Sequence, residues 1–154
     1  MRDKRFVAEH RGGPLKKEQH YQLMKCACDC AEHVLHLFGE KPDDRLEIAL
    51  GVAERWRREK ASVGEARKAA SGAIAVANGS SNPTAIAVAR AVGHAVAAAH
   101  MADHSLGSAL YALKAVKSTG KSVDAERKWQ IEQLPSEITE LILTTEKQKY
   151  LRRV

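Results

Sequence analysis

Aromatic side chains make up only 5% of the 154 residues. Strands draw heavily on aromatic and β-branched side chains, so an all-β fold is poorly supplied. The three cysteines all fall within Cys26-Ala-Cys28-Asp-Cys30. An odd number packed so closely draws no disulfide framework. No stretch is apolar for long enough to span a bilayer, because Asn78-Gly-Ser-Ser-Asn-Pro83 cuts the uncharged run from Ala69 to Ala89. The start, Met1-Arg2-Asp3-Lys4-Arg5, leads into no apolar segment. No secretion signal is expected, and a reducing cytoplasm is the expected compartment. Gly-rich phosphate loops, nucleophile elbows, helical zinc-protease motifs and dinucleotide fingerprints are all missing.

What is abundant is alanine. There are 25, and nineteen lie between Ala61 and Ala115. Small side chains of high helix propensity favour helices that approach closely. At 44% hydrophobic and 29% charged residues, the chain has the balance of a globular protein. Its length suits one domain that buries about two thirds of its surface. The expected architecture is all-α: a single bundle of five to seven helices over residues 1–154, with 1–14 and 147–154 as flexible ends.

The periodicity places the helices. The first is expected over Leu15–Phe38, with Met24, Ala27, Cys28, Ala31, Val34, Leu35 and Phe38 on its apolar face. Pro42-Asp43-Asp44 opens a second, where Asp44 and Glu47 read as a capping box and Leu46, Ala49, Leu50, Ala53 and Trp56 as the buried stripe. Ser62 and Glu65 read as a second capping box, opening a helix over about 63–77. Asn82-Pro83 caps a fourth, about 83–103, whose strongly polar side chains up to Ala102 are Arg90, His94 and His100. A helix apolar nearly all round belongs at the centre of a bundle. Helices over about 105–118 and 122–133, and a short one around Ile138–Ile142, complete the chain.

Lys and Arg total 25 against 19 Asp and Glu, a net charge of +6. The basic residues are spread along the chain, which reads mainly as solvated helix faces. Two groups resemble metal ligands in spacing. Cys26, Cys30 and His33 share one helix edge, while Cys28 points to the core. Residues two apart on a helix diverge, so small core and boundary residues is the plainer reading. His100 and His104 are four apart, but no glutamate follows the first histidine. No metal or cofactor is expected at either place. The stronger candidate is a ridge of Arg90, His94, His100 and His104 on an otherwise apolar helix. A buried guanidinium needs a partner, for which Asp44, Glu47 and Asp103 are candidates. Asp44, Arg45 and Arg67 are expected to meet this ridge in a polar cluster, either a satisfied internal network or a partner-binding groove.

Cys26-Ala-Cys-Asp-Cys-Ala-Glu-His-Val-Leu35, Phe38 and Pro42-Asp-Asp-Arg45 occur in order along the chain. Ala89-Arg-Ala-Val-Gly-His-Ala-Val-Ala-Ala-Ala-His100 then leads to His104, Gly107 and Tyr111-Ala112. Glu126-Arg-Lys-Trp-Gln130 with Leu134-Pro135 completes the series. Together they resemble the immunity protein five-like family of bacterial polymorphic toxin systems, over roughly residues 20–142. The resemblance implies an all-α protein that binds a cognate toxin and blocks it, with neither catalysis nor cofactor. Asp44, Arg45, Arg67, Arg90, Gly93, His94, His100 and His104 are positions typical of that family, and all but Gly93 belong to the polar cluster expected to form a partner-binding groove. An inhibitor that plugs a nuclease cleft should be acidic. At +6, either the toxin is not a nuclease or the family's role does not extend to this chain. The alternatives are a nucleic-acid-associated helical protein using its basic surface, and a helical metal-binding or enzymatic protein using the histidine ridge.

Overall fold

The computed structural model describes residues 3–145 and Val154. It is all-α, with seven helices: α1 Lys17–Val34, α2 Asp44–Arg57, α3 Val63–Asn78, α4 Pro83–Ala97, α5 His104–Ser118, α6 Val123–Glu132 and α7 Ser136–Leu143. Among the described residues there is no strand, only an isolated bridge between Ala8 and Leu15. The helices begin where local chemistry satisfies free amides. The Ser62 hydroxyl accepts from the Glu65 amide at 3.0 Å and the Glu65 carboxylate accepts from the Ser62 amide at 3.3 Å, a complete capping box. The Asn82 side chain accepts from the amides of Thr84 and Ala85, with Pro83 in the first turn of α4.

α4 is the central helix. It packs against α1, α2, α3 and α5. Val88, Ala89, Ala91, Val92, Ala95 and Val96 are all fully buried. With so many alanines the backbones come close, and Gly93 marks the tightest approach on the α3 side. A Cβ there would stand 2.7 Å from Ile74 Cδ1. A second, smaller apolar cluster gathers Phe6, Leu15, Leu23, Cys26, Ala102, Leu106, Ile138 and Ile142.

Four local expectations differ from the fold. The first helix ends at Val34 and continues as a 3-10 turn over Leu35–Phe38. The cap of α2 is Asp43, whose carboxylate accepts from the Arg45 amide at 2.9 Å, and not an Asp44–Glu47 box. α4 ends at Ala97, because the next amides bond three residues back: Ala99 to Val96 and His100 to Ala97. The helix tightens into turns and hands over to α5 at His104. At the other end, where the charged run suggested a flexible segment over 1–14, residues 4–6 and 9–11 form single 3-10 turns. Phe6 is completely buried there. Residues 147–153 of the expected flexible tail lie outside the described residues.

Candidate functional site

Three helical stripes meet along one side of α4. From α3 come Arg67, Ser71, Ile74 and Asn78, spaced on one face. From α4 come Gly93, His94 and Ala97, and from the turn and the start of α5 come His100 and His104. They line a groove of about 610 Å³ that also includes Ala70 and Ala75. Its floor is small and aliphatic. Its polar groups are a guanidinium, three imidazoles, a hydroxyl and an amide, with no carboxylate among the lining residues.

The rings form a connected stack. His100 and His104 have centroids 5.3 Å apart, as do His94 and His104. His94 lies 5.1 Å from Tyr111 at 30°. Tyr111 has two cations near its ring, the Arg90 guanidinium 5.7 Å and the Lys114 ammonium 5.0 Å from its centroid. The stack exists because Gly107 leaves room for it: a Cβ there would lie 2.5 Å from His94 Nδ1. Both His94 and His100 are half-buried, and the Nδ1 atom of each is buried. Burial holds His100 below the ordinary histidine range. The neighbouring His104, Arg67 and Arg11 push in the same direction, and Asp103 opposes them. None of the ion pairs among the described residues involves Arg67, Arg90 or Lys114.

The sequence-predicted cluster is therefore only partly assembled. Arg67, His94, His100 and His104 line the groove. Arg90 does not line the groove: it is exposed and lies over the Tyr111 ring, so it needs no buried carboxylate. Asp44 and Arg45 are elsewhere, at the exposed start of α2. Arg45 is bonded to Asp43 at 3.0 Å, and Asp44 lies 3.8 Å from Lys41. Their charges are spent on local ion pairs, which the i to i+2 and i to i+3 spacing makes cheaper than reaching another helix. Sequence reasoning missed Tyr111 as the ring that joins Arg90 to His94, and missed Ser71, Ile74 and Asn78. The signal for the last three was their spacing from Arg67 along α3.

The second candidate, the cysteine–histidine edge, has dissolved into packing. Cys26 sits in the smaller apolar cluster and Cys30 in the main one, both buried, whereas Cys28 is half-buried against Met24. Cys28 packs against the main core as expected, but Cys26 and Cys30, expected along the helix edge, are the more deeply buried, because α1 buries two faces. All three cysteines are free thiols. Burial pushes the Cys26 thiol up to about 11 and raises those of Cys28 and Cys30 further. His33 instead stacks on Trp129 at 3.6 Å and 7°, with Nδ1 2.6 Å from Glu126 Oε2. Among the described residues no three His, Cys, Asp or Glu side chains are grouped to hold a metal ion. Among the described residues no helix is long and apolar enough to cross a membrane.

No curated protein and no solved structure matches this chain. A family model does, over residues 13–137, which spans α1 to α6 and the whole of the groove. By that match the chain belongs to the Imm-5 like putative immunity protein family.

Proposed function

We propose that the protein binds a cognate bacterial toxin and holds it inactive by contact alone, with the α3–α4–α5 groove as the docking surface. The family match over residues 13–137 carries this reading. The groove supports it in detail. Its apolar floor can take a side chain of the partner, and its exposed cations and rings are of the kinds enriched where protein partners meet. The reading needs no turnover and no cofactor, and places the pair in the cytoplasm, where free buried thiols persist.

The test is co-expression with candidate toxins drawn from the genes that neighbour this one. The intact protein should rescue growth and co-purify with the toxin. Arg67→Glu and Arg90→Ala change exposed side chains, so their melting temperatures should stay close to the parent's, within about 0.5 kcal/mol of stability. Their rescue should be weaker. Failure of the parent to rescue would remove the function, and full rescue by both variants would move the docking surface elsewhere.

A further inference from the structure

The composition of the groove says something about what fills it. Arg67 stands at its rim with no ion-pair partner among the described residues, and no carboxylate lines the walls. The floor between the charges is Ile74, Gly93 and Ala97, which offers nothing to a polar ligand. A ligand that satisfies both features has an apolar body and negative ends.

We infer that the occupant is an acidic segment of the protein partner, which lays an apolar side chain on Ile74, Gly93 and Ala97 and aims carboxylates at Arg67 and His100. This rests on the docking surface proposed above. Charge complementarity favours it, since a carboxylate would neutralise the exposed Arg67 guanidinium, which none of the ion pairs among the described residues engages. Phosphates of a nucleic acid are a poorer fit. A phosphate track calls for a stripe of Lys and Arg, whereas here a single arginine is accompanied by histidines over an aliphatic floor.

The histidines add a coupling to protons. The charged and titratable groups acting on His100 are Arg67 from α3, His104 from α5, Arg11 from the N-terminal turns and the buried Asp103 before α5. Burial and the three cationic or ionisable neighbours keep the ring neutral, and only Asp103 among these favours its charged form. A carboxylate placed beside it reverses that balance, so binding draws a proton onto the ring. By linkage, association tightens as pH falls toward the ordinary histidine range.

The probe is a blocked hexapeptide with central leucines flanked by aspartate and glutamate, set against its asparagine and glutamine counterpart. Binding is followed through the backbone amide signals of the full protein. The acidic peptide should shift Ser71, Ile74, Gly93 and Ala97 and bind at least about tenfold tighter than the amide version. Arg67→Ala should weaken it by about tenfold, and affinity should rise several-fold between about pH 8 and pH 6. Equal binding of the two peptides, or binding of neither, overturns the inference. So does a short single-stranded oligonucleotide that moves the same signals more strongly, which would assign the groove to phosphate. The two proposals fail separately. Loss of toxin rescue with intact peptide binding removes only the function, and toxin rescue through a groove indifferent to acidic peptide removes only the acidic occupant.

Discussion

A Cβ at position 107 would stand 2.5 Å from His94 Nδ1 and within 3.1 Å of two further ring atoms. The ring must then turn away, losing its stack on Tyr111 and its contact with His104. Gly107→Ala gains roughly 0.5–1 kcal/mol of helix propensity. The displaced ring and crowded α5 backbone should outweigh it, for a net loss of about 1 kcal/mol. Gly93→Ala meets only the far end of a half-buried isoleucine, which can swing aside, and should stay within about 0.5 kcal/mol of the parent. Thermal melts of the two variants decide this, and a Gly107→Ala protein more stable than the parent would mean that the ring yields freely. At this scale the sequence was informative about types and less so about places. His94, His100, His104 and Arg67 stand out because polar side chains are rare on such apolar stretches. Asp44 and Arg45 misled because each has an opposite charge close by in sequence, Lys41 and Asp43, and pattern alone does not separate a local pair from a reach across the fold.

Helix ends set the shape of the groove. α3 supplies one wall, and its start is held by the reciprocal Ser62–Glu65 bonds. Ser62→Ala should cost about 1 kcal/mol, within the usual range for a lost N-cap. Amide exchange should speed up first over the opening turn of α3, whereas unchanged protection there would show that packing alone holds the wall. Most helices were legible from alanine spacing and from the Ser62, Asn82 and Pro83 signals. The end of α4 was not. No glycine or proline falls between Ala97 and His104, so nothing local announces a stop. The chain turns there because tertiary contacts demand it. His20 Nε2 donates to the Ala98 carbonyl at 2.6 Å, and Ala102 and Asp103 are buried. That turn carries His100 and hands the chain to α5 at His104, so local propensity does not encode where the two helices lining the groove divide.

At the scale of the whole molecule, pH acts through two histidines before it acts on carboxylates. Burial lowers His20 and His100 below the ordinary value of 6.5. The unfolded chain therefore takes up protons that the folded chain refuses. Their neutral forms support the fold above about pH 6.5, and that support is lost as pH falls through the unfolded value toward the folded ones. Asp3, Asp43 and Glu54 are shifted down by arginine partners, so their contribution is lost only at lower pH, below about 4. The melting temperature should decline between about pH 7 and pH 5.5 and decline again in acid. The first step should shrink in a His20→Gln/His100→Gln variant, and a parent melting temperature flat across that window would show that neither ring matters. The sequence conveyed the helical class and the central place of α4 through composition alone. It did not convey that the opening turns belong to the core, because Phe6 lies in a run that is otherwise charged. That placement bears on anyone preparing the protein. Phe6 and Leu15 close over Leu23 and Ile138, so trimming the charged leader to tidy an expression clone would uncover a greasy socket. The shortened chain would then tend to clump at concentrations where the full one stays dispersed.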